Sequence, residues 1–156
     1  VENLSDGDMV KDFNLQVKKG EVVGIAGLVG AGKTEICKAL FGATSHISGE
    51  FFIQGKRVKI ESPYDAVRHG IVLVPEERRK EGLIVSEPVR TNLTISNMKR
   101  FSKFFSLIDF KSEKREAENI SRRLAIKTPS TETRVEDLSG GNQQKIVIGK
   151  WLILSN

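Results

Sequence analysis

A glycine-rich segment of eight residues determines the local backbone more strongly than any other part of the sequence. The segment covers residues 27–34 and reads GLVGAGKT, which matches the spacing G-x-x-x-x-G-K-[ST]. An apolar run at 22–26 precedes it and predicts a buried, central parallel strand. Apolar residues at helical spacing follow at 35–41, and Gly42 predicts the end of that helix. The sequence therefore predicts a strand, a tight loop and a helix in succession.

The residue types in this loop predict that it binds a polyphosphate. Gly30 and Gly32 have no Cβ, so backbone N–H groups can approach an anion closely and form a nest around it. The helix expected from Lys33 adds the positive end of its dipole. We expect Lys33 to reach the β- and γ-phosphates of a nucleotide and the Thr34 hydroxyl to bind Mg²⁺. The predicted nucleotide-binding residues of this segment are Gly27, Leu28, Val29, Gly30, Ala31, Gly32, Lys33, Thr34 and Glu35.

Composition narrows the class of protein. With 156 residues, 38% of them hydrophobic and 29% charged, the chain fits one soluble globular domain and not a disordered one. The sequence has no run of 18 apolar residues, which a membrane span would require, and no signal peptide at its start. We therefore expect a cytoplasmic location. The single Cys37 excludes an internal disulfide. The +5 net charge is interpreted as a solvated surface and not as a nucleic-acid patch, because the basic residues are dispersed.

Hydrophobic periodicity predicts the remaining elements. The expected strands are Val1–Leu4, Phe13–Lys18, a hairpin of Glu50–Gln54 and Arg57–Ile60 around Gly55-Lys56, and Ile71–Val74. The expected helices are a short one from Ser62-Pro63 to Gly70, a weak one over Pro88–Met98, Glu113–Ile126 with Ser112 as its cap, and Ile146–Leu154.

Two interpretations stay open for the segment that follows Ile71–Val74. Four apolar residues before Glu76 and Glu77 resemble a Walker B strand, but Pro75 stands where a metal-binding Asp belongs. The second interpretation is a polar loop at the carboxyl end of a strand, where ligands of open α/β sheets gather. In that case Glu76 could approach the metal or the attacking water, and Arg78 could pair with a nearby acid.

An aromatic and aliphatic cluster in the following region also has two interpretations, a small local core or a surface for a partner protein. Its members are Phe101, Phe104, Phe105, Leu107, Ile108 and Phe110.

A second glycine-containing segment predicts a second anion-binding helix start. Residues 138–145 read LSGGNQQK, and a helix is expected to follow them. Two adjacent glycines after Ser139 leave the helix amides open to an anion. Gly140 and Gly141 are more than a hundred residues away from the first loop, which suggests a nucleotide bound from two sides.

With both segments in place, the chain resembles an ATP-binding-cassette (ABC) ATPase. The motifs GLVGAGKTE, VPEERRKEGL and LSGGNQQK are similar to those in the ATP-binding protein of bacterial monosaccharide importers of the ribose, galactose and xylose type. That protein carries two cassettes in tandem, and the resemblance, which extends over essentially all 156 residues, is to the second. It implies an α/β P-loop NTPase fold, in which 1–82 form the core sheet with its antiparallel region, 83–137 a helical subdomain and 138–156 the signature segment with its helix.

The resemblance also implies roles for residues. By this resemblance, Lys33 is the catalytic lysine of the Walker A loop and Thr34 is the metal ligand. Glu76 is a catalytic residue that stands where most members of the family have the Q-loop glutamine. Ser139, Gly140 and Gly141 match the signature that contacts the γ-phosphate held by the opposite cassette. The implied cofactors are ATP and Mg²⁺. The implied partners are a second cassette, transmembrane permease subunits and, indirectly, a periplasmic sugar-binding protein, with no nucleic acid. The implied location is the cytoplasmic face of the membrane, where the protein is peripheral.

The sequence also departs from this family pattern. No Walker B strand with its Asp and catalytic Glu follows the signature helix before Asn156, so residues 1–156 are expected to be one incomplete cassette that does not hydrolyse ATP alone. An unpaired sheet edge is expected beside the loop strand. No aromatic ring in Ser5–Asp8 is available to stack on a base. A regulatory module that binds ATP without turnover therefore stays open. A DNA-repair ATPase is disfavoured, because the segment between the motifs has no sustained heptads and no Cys pairs.

Overall fold

The computed structural model describes residues 1–102 and 108–155 and combines helices with a small antiparallel sheet. The chain divides into two compact units, Val1–Leu73 and Val74–Asn156. Among the described residues, no helix is both long and apolar enough to cross a membrane. The mixed α/β composition agrees with the fold class expected from the sequence.

The sheet of the first unit has three antiparallel strands in the order β1-β2-β3. These are β1 (Glu2–Ser5), β2 (Ser48–Ile53) and β3 (Lys56–Val58). Phe51 pairs with Val58 and Ile53 with Lys56, so the turn consists of Gln54 and Gly55 and not of Gly55 and Lys56 as predicted. Both turn residues have positive φ, 53° and 76°, which is the geometry of a type I′ hairpin turn.

Two helices of the first unit confirm their predictions. α1 (Lys33–Leu40) follows the glycine loop, and α2 (Pro63–Arg68) begins after Ser62, whose Oγ accepts the backbone N–H of Asp65 at 3.2 Å. Gly42 ends α1 with φ 74° and lies against the Ser62 carbonyl, where a Cβ would come within 2.6 Å of the carbon and oxygen. The core between these elements consists of Leu4, Val10, Ala39, Phe51, Ile60 and Ala66.

The predicted strand Phe13–Lys18 is not regular. Phe13 forms an isolated antiparallel bridge with Leu4, and the backbone groups of Val1 and Leu15 exchange two further hydrogen bonds of 2.8 and 3.0 Å. Asn3 and Asp12 adopt left-handed φ values of 52° and 49°, which turn the backbone out of the ladder. The segment therefore lies beside β1 without continuous pairing.

The predicted strands at 22–26 and Ile71–Val74 are wrong as well. Neither segment is a strand in the structure, and Val22 is 95% exposed. Apolar runs of this kind belong to paired strands of parallel sheets whose two faces are covered by helices. Within the part of the chain that the structure describes, no strand pairs with either run. The central parallel sheet expected around the loop is therefore not formed by these residues.

Three helices organise the second unit. They are α3 (Val89–Thr94), α4 (Phe110–Arg123) and α5 (Gly140–Leu152). A π-helical turn spans Arg78–Gly82, and 3₁₀ turns span Ile95–Phe101, Val135–Asp137 and Ile153–Ser155. The buried core is formed by Val89, Leu93, Phe101, Ala117, Ile120, Ile126, Val135, Ile146 and Ile153. A small residue, Gly149, allows α5 to approach α3 and α4 closely, because its backbone faces Leu93 and Ile120 directly.

The helix boundaries in this unit differ from the sequence expectations. α3 is shorter than Pro88–Met98 and changes to 3₁₀ geometry at Ile95. α4 begins after Asp109, whose Oδ1 accepts the N–H of Ser112 at 3.2 Å, so Asp109 and not Ser112 is the cap. Ala117, Ile120 and Leu124 pack against the core as predicted. α5 begins at Gly140, six residues earlier than expected, because the signature glycines adopt helical geometry.

Part of the predicted aromatic cluster belongs to this core. Phe101 is buried and Ile108 packs against the core, whereas Phe110 is 65% exposed at the start of α4. The other three predicted members, Phe104, Phe105 and Leu107, lie outside the described residues.

A partly buried ion-pair network joins α3 to α4 and to Glu132. Arg90 donates to Glu113 at 2.6 Å and to Glu132 at 2.9 Å. The Glu113 side chain is only 3% exposed, and its second oxygen accepts the Thr94 hydroxyl at 2.7 Å. Because both oxygens of this carboxylate have donors, its charge is tolerated inside the unit.

Candidate nucleotide-binding site

The glycine loop leads directly into the amino end of α1. Gly30 and Gly32 have φ values of 78° and 81°, and Gly32 is the N-cap residue of the helix. A side chain at either position would strain the backbone, because L-residues rarely adopt this conformation. The Ala31 N–H donates to the Leu28 carbonyl at 3.2 Å, which closes the turn.

Lys33 folds back over this loop. Its Nζ donates to the carbonyl oxygens of Gly27 at 2.9 Å and Leu28 at 2.6 Å. Two acceptors therefore hold the ammonium group at the mouth of the loop, next to the positive end of the helix dipole. Gly27 lies six residues before Lys33 in sequence, so this hydrogen bond ties the lysine side chain to the start of the loop.

This arrangement fits a phosphate group. A Cβ at Gly30 would meet nothing within 4 Å, and Leu28 and Val29 are 84% and 103% exposed, so the surface of the loop is open. No side chain in the described part of the chain caps α1, which leaves its amino end available to an anion. The residues predicted from the sequence, Gly27 to Glu35, are thus brought together in one loop and helix start.

The same residues fit Mg²⁺ only in part. Thr34 is the second residue of α1 and would offer one hydroxyl oxygen. Within residues 1–102 and 108–155, no group of three or more His, Cys, Asp or Glu side chains could hold a metal ion. Mg²⁺ is usually coordinated by several waters and by phosphate oxygens of the substrate. A single hydroxyl ligand from the protein is therefore sufficient only when a bound nucleotide supplies further ligands.

A short turn beside the loop presents Met9. Asp6 Oδ1 accepts the N–H groups of Asp8 and Val10, each at 2.9 Å, and these hydrogen bonds hold the pKa of the Asp6 carboxyl below its usual range. Met9 Cβ lies 3.9 Å from the place where Gly32 would carry a Cβ. The Ser5–Asp8 segment has no aromatic ring, and the half-exposed Met9 is the apolar side chain beside the glycine loop.

The signature segment lies in the second unit, at the amino end of α5. Ser139 is the N-cap with extended geometry, φ −60° and ψ 153°, and Gly140 and Gly141 are the first two helical residues. A Cβ at Gly141 would meet nothing within 4 Å, whereas a Cβ at Gly140 would lie 2.6 Å from Nη2 of Arg78. The two glycines therefore differ: the first accommodates a guanidinium group, and the second is open.

The segment that contains Glu76 packs on the same helix. Lys150 in α5 donates to the Gly82 carbonyl at 2.9 Å, and burial lowers the pKa of this lysine. The Arg78 N–H donates to the Glu76 carbonyl at 3.2 Å, and the buried Arg78 Nε has no hydrogen-bond partner among the residues that the structure describes. Arg78 thus connects the backbone of the exposed Glu76 to Gly140. The proposed roles of Glu76 in metal or water binding stay predictions.

Two residues of the LSGGNQQK segment were missed by the sequence analysis. Asn142 Nδ2 donates to Ser139 Oγ at 3.0 Å, and its Oδ1 accepts the Lys127 N–H at 2.9 Å. Gln143 is buried and its Nε2 donates to the carbonyls of Val135 and Leu138, both at 3.1 Å. Amide side chains in the first turn of a helix were the available signal, since they can bond to backbone groups on either side.

Comparison with known families identifies the class of protein to which the chain belongs. The family model described as ABC transporter matches residues 10–156. The chain therefore belongs to the ABC transporter ATP-binding family, whose domain is a P-loop NTPase.

Individual relatives lie among sugar-import proteins. The ribose import ATP-binding protein RbsA of Clostridium tetani is 39% identical over 155 residues, which cover 99% of the chain and 31% of that protein. A putative ribose/galactose/methyl galactoside import ATP-binding protein of Burkholderia lata is 45% identical, with coverages of 98% and 30%. The arabinose import ATP-binding protein AraG of Mannheimia succiniciproducens is 44% identical, with coverages of 97% and 30%. The chain thus spans about 30% of the length of these relatives.

Proposed function

We propose that the chain is a nucleotide-binding cassette that, in the full protein, couples ATP binding and hydrolysis to the import of a monosaccharide. The observation that carries this proposal is the Lys33 ammonium held over a loop of positive-φ glycines at the amino end of α1. Such a loop suits the polyphosphate of ATP. The names of the relatives, which are sugar-import proteins, support a sugar as the transported molecule.

The proposed roles of the loop residues follow from this geometry, and those of Glu76 and the signature residues follow from the family resemblance. Gly27 to Glu35 would surround the phosphates, Lys33 would place its charge on them, and Thr34 would bind Mg²⁺, which supplies charge neutralisation to the phosphates when it is bound. Ser139, Gly140 and Gly141 would contact the nucleotide of a partner cassette, and Glu76 would lie near the metal or the water. The proposed partners are that second cassette, permease subunits and, through them, a sugar-binding protein, at the cytoplasmic face of the membrane.

We further propose that this chain corresponds to the second cassette of a tandem protein and does not hydrolyse ATP alone. The motif variants GLVGAGKTE and LSGGNQQK support the assignment to the second cassette. The 156 residues contain no apolar run followed by Asp-Glu, so they supply neither the usual metal-binding Asp nor the usual base for water.

A nucleotide-binding measurement on the full-length protein tests the first proposal. Lys33→Ala removes a charged contact to phosphate, which is worth about 1.5–3 kcal/mol, so ATP affinity at this loop should fall about ten- to a hundredfold. Lys38→Ala in the same helix is the matched control, since it removes a lysine outside the loop. Unchanged ATP affinity in the Lys33→Ala protein would contradict the proposed site.

A second candidate function is a regulatory module that binds ATP without turnover. The absence of an aromatic ring in Ser5–Asp8 and the Glu at position 76 favour it. Phosphate release by the full-length protein separates the two functions. If this cassette hydrolyses ATP, Lys33→Ala in this cassette alone lowers the rate; if it only regulates, the rate persists while ATP binding at the loop is lost.

A further inference from the structure

The geometry points to Asn142 as a positioning residue that fixes the direction of the Ser139 hydroxyl. Asn142 lies in the first turn of α5, three residues after Ser139. It acts on the nucleotide only through Ser139, and the inference rests on the proposed function of the signature segment.

The orientation of the Asn142 amide is determined by a neighbouring backbone group. The Lys127 N–H lies 2.9 Å from one terminal atom of the side chain, and an N–H can donate only to the oxygen. The NH₂ group must therefore face the other way, where it lies 3.0 Å from Ser139 Oγ. A backbone donor fifteen residues away in sequence thus sets which end of the amide Ser139 meets.

This contact determines what the serine hydroxyl can do. Ser139 Oγ accepts a hydrogen bond from Asn142, so its own proton has to point elsewhere. An N-cap serine ordinarily accepts an N–H of the first helical turn, but Ser139 makes no such bond. Among the described residues, the Ser139 hydroxyl donates no hydrogen bond, and the residue is exposed. The Ser139 O–H is therefore oriented so that it can donate to a bound anion.

Aspartate at position 142 would reverse this arrangement without changing the shape of the side chain. One carboxylate oxygen would still accept the Lys127 N–H, and the other would face Ser139 Oγ as an acceptor. The serine proton would then turn toward the carboxylate and away from the γ-phosphate. A negative charge in the first turn of α5 favours the helix dipole, so this variant should stay folded.

The test compares nucleotides with and without a γ-phosphate. The dissociation constants of ADP and of the non-hydrolysable analogue adenylyl imidodiphosphate are measured by calorimetry on the full-length protein. The variants are Ser139→Ala, Asn142→Asp and the double variant, with Gln144→Glu as a control that adds the same charge two residues further along α5. A loss of fold weakens both nucleotides, whereas a lost donor to the γ-phosphate weakens only the analogue.

The expected result is a preference for the analogue that depends on both residues. Ser139→Ala and Asn142→Asp should each lower the ADP-to-analogue ratio of dissociation constants about tenfold, as expected for a hydrogen bond to a charged group. In the double variant Asn142→Asp should add almost nothing, because its effect passes through Ser139. Gln144→Glu should leave the ratio within about twofold of the wild-type value.

Three outcomes overturn the inference. An unchanged ratio in Ser139→Ala means that the hydroxyl does not meet the γ-phosphate. An unchanged ratio in Asn142→Asp means that the amide does not orient Ser139. If Asn142→Asp lowers the ratio equally in the Ser139→Ala background, the added charge acts directly on the nucleotide and not through Ser139. Failure of the proposed function is seen separately, as undiminished binding of the analogue by Lys33→Ala.

Discussion

Replacing Gly149 with alanine should destabilise the second unit, because this glycine allows α5 to contact two helices. A Cβ there would lie 2.6 Å from Leu93 Cδ2, 3.0 Å from Ile120 Cγ2 and 3.1 Å from Leu124 Cδ1. Carbon atoms pack best at about 3.5–4.0 Å, so all three side chains would have to move. Leu93 and Ile120 are fully buried, so such a movement would disturb the close packing of the core.

The magnitude follows from two opposing effects. Overpacking a close-packed core costs about 1–3 kcal/mol, and the higher helix propensity of alanine returns up to about 1 kcal/mol. We therefore expect Gly149→Ala to lower the free energy of unfolding by about 1–2 kcal/mol. Gly149→Val should cost more, because valine adds two further methyl groups and returns less helix propensity.

Urea denaturation of the chain measures this difference. Trp151, the only tryptophan of the chain, lies in α5 two residues after Gly149 and reports on this helix by its fluorescence. Gly141→Ala is the matched control, because it lies in the same helix and its Cβ would meet nothing within 4 Å. Its midpoint should equal or slightly exceed that of the wild type. A Gly149→Ala chain as stable as Gly141→Ala would refute the close-packing explanation.

Three further predictions test other parts of the fold. Gly42→Ala should abolish folding of the first unit or strongly lower its stability, since the new Cβ would lie 2.6 Å from the Ser62 backbone. The control Gly55→Ala, with a similar φ of 76° and open surroundings, should lower the stability by only about 1–2 kcal/mol, and urea midpoints distinguish the two variants. Arg90→Ala should cost about 3 kcal/mol or more, because it leaves the buried Glu113 carboxylate without its cation, and Glu113→Gln in the Arg90→Ala background should recover part of that loss in the same assay. The hydrogen bonds from Arg90 hold the pKa of the Glu132 carboxyl below its usual range. The stability that this pair contributes is therefore complete above the unfolded pKa and disappears as the pH falls through the lower folded pKa, and Glu132→Gln should flatten this acid limb of a pH–stability profile.

The glycine loop was predictable from the sequence because its geometry is local. Positive φ at Gly30 and Gly32 and the helix start at Lys33 depend on residues that are neighbours in sequence. The hairpin was predictable for the same reason, although Gln54 shows that the turn lies one residue earlier than the pattern indicated. These two elements, whose determinants lie within a few residues, are thus correctly predicted to within one or two positions.

The strand predictions failed where burial was inferred from an apolar run alone. Val22 and Val23 have the composition of a buried parallel strand, but they are 95% and 42% exposed. A parallel strand is stabilised by neighbours that are distant in sequence, and an apolar run does not identify them. At α4 the error was smaller, since Asp109 and Ser112 lie one turn apart and either could cap a helix by its side-chain chemistry.

The part of the site that the sequence could not provide depends on tertiary contacts. Nothing in the LSGGNQQK pattern indicates that the Lys127 N–H fixes the amide of Asn142, because fifteen residues separate them. Similarly, the contact of the Arg78 guanidinium with Gly140 joins segments more than sixty residues apart. The pattern predicts which residues face an anion, whereas the contacts of Lys127 and Arg78 with this segment come from the tertiary fold.

The two glycine segments use glycine for different physical reasons, and this decides what an alanine substitution would test. At Gly30 the obstacle is the backbone itself, since φ is 78° and no neighbouring atom lies within 4 Å of a Cβ. Changing a neighbour cannot relieve that strain. At Gly140 the backbone is helical and the obstacle is Nη2 of Arg78, the end of a flexible side chain. Alanine at position 30 therefore distorts the loop, whereas alanine at position 140 displaces Arg78 from the signature helix.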